Sequence, residues 1–291
     1  MNISIIGLGL IGGSIALDLR ESGFATNLIG VDQNHEHCQQ ALKLGLVDHI
    51  SVWPQAVKES DLVILAIPVN AIVHLLPELM SHIGDRTTVT DMGSTKAQIT
   101  ACLIPSTRAH SRRGQFVASH PMAGTEHSGP TAALRGLFVG RTAVICDQHD
   151  SHPRDLKRIE ELYQVLKMRL VYMSSQEHDL HAAYVSHLSH ISSFVLANTV
   201  LGLEKNVGTI FDLAGGGFES TVRLAKSSPE MWAPIFEQNR EHVVEALSAY
   251  IDELEAFRES LVSKDFAQTK SFMQEANHIR RVLEKMHGVA K

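Results

Sequence analysis

Cysteine is scarce in this chain. Three residues of 291 (Cys38, Cys102 and Cys146) are widely spaced, odd in number and include no C-x-x-C. That excludes a disulfide framework or a zinc ribbon and fits a reducing, cytoplasmic setting. The 17 histidines contain no H-E-x-x-H and no Cys/His ligand spacing, so no metal is expected. No apolar run approaches the ~20 residues of a membrane span, so no membrane partner is expected. The apolar start lacks a basic segment and is interrupted by Gly7, Gly9 and Gly12, so it reads as strand and turn rather than signal peptide. Basic charge is not in excess: 26 Lys and Arg face 32 Asp and Glu, and a net charge of −6 gives no reason to expect nucleic acid. The rest, 44% hydrophobic and 20% charged over a length that allows two domains, is ordinary for a globular protein.

What is present begins at once. A short apolar strand, residues 2–6, runs into Gly7-Leu8-Gly9-Leu10-Ile11-Gly12, and twenty positions after Gly12 comes Asp32, closing a second apolar stretch. Gly7 permits the tight turn, Gly9 lets the backbone approach a pyrophosphate, and Gly12 lets the following helix pack on the sheet. That helix offers unpaired N–H groups at Leu10 and Ile11 and the positive end of its dipole. Asp32 can accept from both hydroxyls of an adenosine ribose and would repel a 2′-phosphate, favouring NAD over NADP. In strand–turn–helix context with the acid at this distance, G-x-G-x-x-G is a strong dinucleotide signal.

Residues 1–173 alternate strand patterns (2–6, 28–31, 62–67, 87–90, 116–119, 143–146, 170–172) with helical ones (11–21, 35–44, 71–82, 153–168). Such alternation predicts a parallel sheet with right-handed crossovers, an α/β dinucleotide-binding domain. From residue 174 to 291 strand signals vanish, and helices are expected at 176–203, 229–262 and 264–287. The stretch 187–203 is apolar on more than one face, which in a domain this small implies burial against a second copy of the chain. The reading is therefore an α/β domain followed by an all-α domain, assembled as a homodimer around a small-molecule substrate.

Ligands of open parallel sheets sit beyond the carboxyl ends of the strands. Three polar clusters fall there: Ile67-Pro68 where a nicotinamide ribose would pass, Asp91–Lys96, and His120–Glu126. Ser94 is a candidate site residue or the N-cap of the helix near Lys96. His120 precedes Pro121, which holds its backbone extended, and a neutral imidazole there can accept a proton. Glu126 is a site residue or a surface acid. His187 and His190 lie one helical turn apart, and the spacing does not choose which faces the cleft. Gly215-Gly216-Gly217-Phe218 allows close backbone approach, and Arg223 offers a fork for a carboxylate or is an ordinary surface cation.

These blocks, with Met231-Trp232, occur in the order found in the prephenate/arogenate dehydrogenases of tyrosine biosynthesis, and the chain resembles that family over essentially its whole length. The resemblance implies a Rossmann-type N-terminal domain, an all-α C-terminal dimerisation domain, and oxidative decarboxylation with NAD, NADP being the lesser choice. On it, His120 corresponds to the histidine bonding the substrate's ring hydroxyl and Ser94 to the serine assisting there. His190 corresponds to a substrate-site histidine, Arg223 to the arginine gripping a carboxylate, and Thr125, Glu126 and Gly216 to the mouth of the site. Trp232 corresponds to a tryptophan approaching from the partner subunit. Residue 220 is Ser where some relatives carry an acid, so prephenate and arogenate both stand as substrates. The competing readings are a nucleotide-sensing binding protein and a β-hydroxyacid-type dehydrogenase, for whose acid–base lysine nothing here has a comparable placement, Lys205 being left open by pattern alone.

Overall fold

The structure, a computed structural model, describes residues 1–103, 112–207 and 209–287, with side chains described outside 205–207 and 285–287. The Lys205 side chain lies outside the described residues. Two compact units are present, Met1–His242 and Val243–Lys291.

The first unit is built on an eight-stranded sheet: β1 (Asn2–Ile6), β2 (Asn27–Val31), β3 (His49–Ile50), β4 (Leu62–Leu65), β5 (Thr88–Asp91), β6 (Phe116–Pro121), β7 (Thr142–Cys146) and β8 (Arg169–Met173), in the order β3-β2-β1-β4-β5-β6-β7-β8. Helices α1 (Leu10–Glu21), α2 (His35–Lys43), α3 (Gln55–Lys58), α4 (Val69–His82), α5 (Ala97–Ala101) and α6 (Pro153–Val165) connect strands. Because both faces are covered, β4 reads Leu62-Val63-Ile64-Leu65 without alternation, and all four are fully buried. One core layer joins Ile3, Ile5, Ile15 and Leu19 to Ile159 and Leu162, and the other joins Val63 and Leu65 to Ile72, Leu76 and Phe116.

Two features depart from the expected sheet. A two-residue strand, β3, pairs with β2 through Ile29 and Gly30 and is too short to carry a periodic signal. More consequentially, β7 runs antiparallel to β6, with Pro121 opposite Ala143 and His120 opposite Val144. The reason lies in the connection. A parallel return needs a crossover, usually helical, but 122–141 holds Gly124, Gly129, Pro130, Gly136 and Gly140 and forms only a 3₁₀ turn at Pro130–Ala132. The chain therefore turns back at the carboxyl end of β6. On the way it packs over α1, where Leu134 N–H donates to Ser14 Oγ at 2.9 Å and Gly136 N–H to Asp18 Oδ1 at 2.9 Å.

After β8 the described elements are helical: α7 (Ser175–Ala182), a π-helical turn at Ala183–His187, α8 (Leu188–Val207), α9 (Gly216–Val222), α10 (Pro229–Gln238) and α11 (Arg240–Val262). The helix expected over 229–262 is thus broken at Asn239, whose side chain turns inward to donate to the Asp179 carbonyl at 2.6 Å. On α8, Val195, Leu196, Leu201 and Leu203 are exposed rather than buried. In the second unit α11 continues into α12 (Phe266–Ala276) and α13 (Ile279–His287), so the helix expected over 264–287 is also divided. Phe257 packs on Phe272 with ring centroids 5.3 Å apart, and Ser260 bonds Thr269 at 2.9 Å. Among the described residues, no helix is long and apolar enough to cross a membrane.

The backbone is closely approached at Gly12, where a Cβ would meet the Gly7 carbonyl oxygen at 2.0 Å and Ile5 Cγ2 at 2.9 Å. Gly12→Ala is expected to lower the unfolding free energy by roughly 2–3 kcal/mol, since backbone rather than a flexible side chain would have to move. Urea denaturation checks this, and an unchanged midpoint would refute it.

Candidate active site

A cavity of about 740 Å³ opens at the carboxyl ends of β1, β4, β5 and β6 and is closed from above by residues after β8. Of the residues expected at a site, Gly9, Leu10, Ile11, Ile67, Pro68, Ser94, His120, Thr125, Glu126, His190, Arg223 and Trp232 line it. Gly7, Gly12, Asp32 and Gly216 do not. Gly7 and Gly12 shape the turn behind the wall, Asp32 stands beyond β2, and Gly216 is exposed in the first turn of α9.

The turn after β1 is built for close approach by a ligand. Gly7 has φ +100°, and a Cβ there would lie 2.3 Å from the Ala66 carbonyl oxygen, whereas a Cβ on Gly9 would meet nothing within 4 Å. Space over Gly9 together with the amino end of α1 suits a pyrophosphate. The Asp32 carboxylate accepts from Leu8 N–H at 2.9 Å and Asn34 N–H at 2.8 Å, so each oxygen keeps a lone pair for a ribose hydroxyl. These residues fit a dinucleotide.

His120 leads a buried chain of hydrogen bonds. Its Nδ1 lies 2.8 Å from His178 Nε2, and His178 Nδ1 lies 2.7 Å from Asp179 Oδ1. The carboxylate also accepts from Lys96 N–H at 2.7 Å and Ala97 N–H at 2.9 Å, the free amides at the start of α5. Burial pushes the Asp179 carboxyl up, but the His178 bond and these amides outweigh it and hold the group below the usual carboxylate range. An ionised Asp179 fixes the proton of His178 on Nδ1. His178 Nε2 then accepts, His120 Nδ1 donates, and His120 Nε2 keeps its lone pair for the cavity. Burial, with the neighbouring His178, Lys96 and His187, drives the His120 pKa well below 6.5 and keeps the ring neutral.

Ser94 sits on the cavity wall after β5 and does not cap α5, because the capping position is Lys96 and Asp179 bonds the helix amides instead. Lys96 is wholly buried, bonding Asp91 and, at 2.8 Å, the Ser119 carbonyl. Arg223 is exposed at the mouth, 3.5 Å from Glu126. Of the histidine pair, His190 faces the cavity and His187 is buried against Asn239. The π-helical turn is associated with this division: the Ser186 carbonyl accepts from His190 Nδ1 at 3.0 Å. Trp232 is buried and stacks on His190 with centroids 3.7 Å apart, and its indole N–H has no partner among the described residues. In this chain it reaches the cavity from α10.

His178, Asp179 and Asn239 were not singled out from the sequence. Their signal was faint. Glu177-His178-Asp179 reads as the polar first turn of a helix, and only the fold reveals that His178 and Asp179 point inward at 2% and 1% exposure.

A family model described as the nucleotide-binding domain of prephenate dehydrogenase matches residues 15–172, and one described as its dimerization domain matches residues 174–275. Prephenate dehydrogenase of Bacillus subtilis is 32% identical over 283 residues, covering 96% of this chain and 75% of the relative. Cyclohexadienyl dehydrogenase of Zymomonas mobilis is 29% identical over 290 residues, covering 99% and 98%. Among solved structures, prephenate dehydrogenase from A. aeolicus in complex with hydroxyphenyl propionate and NAD+ superposes with TM-score 0.88 at 30% identity, covering 97% and 98%. Synechocystis arogenate dehydrogenase superposes with TM-score 0.76 at 26% identity, covering 97% and 100%.

Three histidines of this region, His120, His187 and His190, have pKa values lowered from 6.5 chiefly by burial, His187 to about 4. A depressed pKa favours the neutral folded state, so this stability is full above about pH 6.5 and is lost as pH falls through the lowered values. The melting temperature is expected to decline between about pH 6.5 and about pH 4, and less steeply in His187→Gln. A flat profile over that window would contradict the burial of neutral rings.

Proposed function

The chain belongs to the prephenate dehydrogenase family, and we propose that it catalyses the NAD-dependent oxidative decarboxylation of prephenate to 4-hydroxyphenylpyruvate in tyrosine biosynthesis. The observation that carries this reading is the His120–His178–Asp179 chain, which presents a neutral acceptor nitrogen to the cavity beside the nucleotide turn.

The substrate is a cyclohexadiene with a ring hydroxyl and, on the opposite carbon, a carboxylate. When bound over Gly9–Ile11, NAD supplies the acceptor for the hydride from the hydroxyl-bearing carbon. His120 Nε2 takes the hydroxyl proton, an effect typically of 10²–10⁴-fold, and Ser94 from the loop after β5 assists at that oxygen. The C–O pair becomes a carbonyl conjugated through the ring to the carbon bearing the carboxylate. The C–CO₂ bond then breaks, its electrons enter the ring, CO₂ leaves, and the ring oxygen recovers its proton from His120 to give the aromatic phenol. Arg223 grips a carboxylate, with Thr125 and Glu126 beside it at the mouth and Gly216 near it on α9. His190 and Trp232 form a flat wall against the ring. Asp32 selects the unphosphorylated ribose.

In this reading the nucleotide domain spans 1–173 and the helical domain 174–291, and the protein is a cytoplasmic homodimer. The exposed Val195, Leu196, Leu201 and Leu203 on α8 support a dimer, since this much apolar surface on one helix is normally covered. Arogenate is the second reading, favoured by one observation. Glu126 places a carboxylate in the cavity, held below its usual range by its own backbone amide and by Arg223, where an ammonium group could pair with it.

Purified protein is expected to reduce NAD in the presence of prephenate, followed by nicotinamide absorbance, with arogenate as the comparison substrate. His120→Asn is expected to lower kcat by at least about 100-fold with the Kd for NAD unchanged. Undiminished turnover in that variant would overturn the role of His120. Asp179→Asn is expected to cost at least about tenfold in kcat through the misplaced tautomer.

A further inference from the structure

The adenosine end of the cleft contains a residue that the reading above leaves unused. His37, in the first turn of α2, points its Nδ1 at Asp32 Oδ2 across 3.6 Å. That oxygen also accepts from Leu8 N–H, while Oδ1 accepts from Asn34 N–H. The His37 backbone N–H is itself tied to the Asn34 side chain at 3.3 Å, so the helix cap that organises the Asp32 loop fixes the base of the histidine as well. Both side chains keep contact with solvent, at 34% and 14% exposure, as groups facing a ribose must.

Asp32 alone discriminates simply: a carboxylate bonds ribose hydroxyls and repels a 2′-phosphate. A histidine within 4 Å of the same oxygen alters that. In its neutral state it leaves the carboxylate's charge intact. When protonated it offsets that charge and adds a donor where a 2′-substituent would lie, the task an arginine performs in NADP sites. Other charges near it are engaged elsewhere. On its own helix Glu36 bonds Gln40 at 3.1 Å, and His35 bonds Gln39 at 3.0 Å. The turn Pro130–Ala132, which packs across α2, carries no titratable side chain. On that side Gly129 is the neighbour, since a Cβ built there would lie 3.8 Å from His37 Nε2. Strand β3, which also packs on α2, carries His49, and Asp32 is the carboxylate that His37 Nδ1 approaches.

We infer that His37 is a second determinant of cofactor choice, admitting a 2′-phosphorylated dinucleotide that Asp32 by itself would turn away, and admitting it best when the ring is protonated. The inference rests on the dinucleotide reading of this cleft. It makes the preference for NAD conditional on pH instead of absolute.

The test is calorimetric titration of the full chain with NAD+ and with NADP+ at about pH 5.5 and about pH 8. Wild type is compared with His37→Gln and His37→Arg. The ratio Kd(NADP+)/Kd(NAD+) is expected to fall on acidification by about fivefold more in wild type than in His37→Gln, the scale of one partly exposed charge pair. The 2′-phosphate titrates in the same window, and the Gln variant carries that change too, so the difference isolates the histidine. His37→Arg is expected to hold a low ratio at both pH values. NAD+ binding with equal ratios in wild type and His37→Gln would overturn the inference while leaving the cofactor reading intact. Binding of neither dinucleotide would overturn both.

Discussion

Much of the site hangs on the carboxylate of Asp179. It is 1% exposed and has no cation on it, a placement that would be prohibitive without donors. Two helix amides and one imidazole supply them, and each donor gains in return. The start of α5, which has no cap from its own sequence, is closed from α7. His178 is locked in one tautomer, and through it His120 is oriented. The Asp179 carbonyl also accepts from Asn239, which anchors the break between α10 and α11. One residue thus joins the loop after β5, His120 on β6 and the helices above them. The proton inventory of the cavity and the packing of the helical part against the sheet share a single support.

The reversal at β7 matters to function as much as to topology. Had β6 been followed by a helical crossover, the chain would have left the carboxyl ends of the strands. Instead, the glycine- and proline-rich segment 122–141 stays there, lining the cavity with Thr125 and Glu126 before it crosses α1. Ala133 occupies the space that a Cβ on Gly13 would need, 2.8 Å away. The second glycine of the Gly12-Gly13 pair therefore serves this overlying segment, while the first serves the sheet.

The parts of the fold legible in the sequence were those whose physics is local. Gly7 and Gly12 declare a turn because a Cβ at either would strike backbone, while Gly9 leaves open space over it. The strands β1, β2 and β4 declare themselves as buried apolar runs, and the helices α1, α2 and α4 by periodicity. What was illegible depended on distant partners. The antiparallel β7 has the composition of a parallel strand, and its direction is decided by the preceding loop. Ser94 looked like a cap because the true cap, Asp179, lies 83 residues from the Lys96 amide it accepts from. His187 and His190 lie one helical turn apart and periodicity does not separate them; the π-helical turn at Ala183–His187 is where the structure sets His190 toward the cavity and His187 inward.

The low basicity of His120 looks at first ill suited to a proton acceptor. Its ring is desolvated and has Lys96 nearby, so protonation in the resting state is costly. In the proposed reaction the other partner changes. As hydride departs, the oxygen on that carbon becomes strongly acidic, and a weak base then suffices. A more basic histidine would be protonated in the resting enzyme and could only donate. As His120 gains its proton, its Nδ1–H, the His178 ring and the ionised Asp179 form an aligned chain in a low-dielectric interior, where each bond strengthens its neighbour. The relay thus stabilises the imidazolium at the moment it forms, while burial suppresses it beforehand. Both effects need Asp179 to remain ionised, and the helix amides of α5 secure that without a neutralising cation.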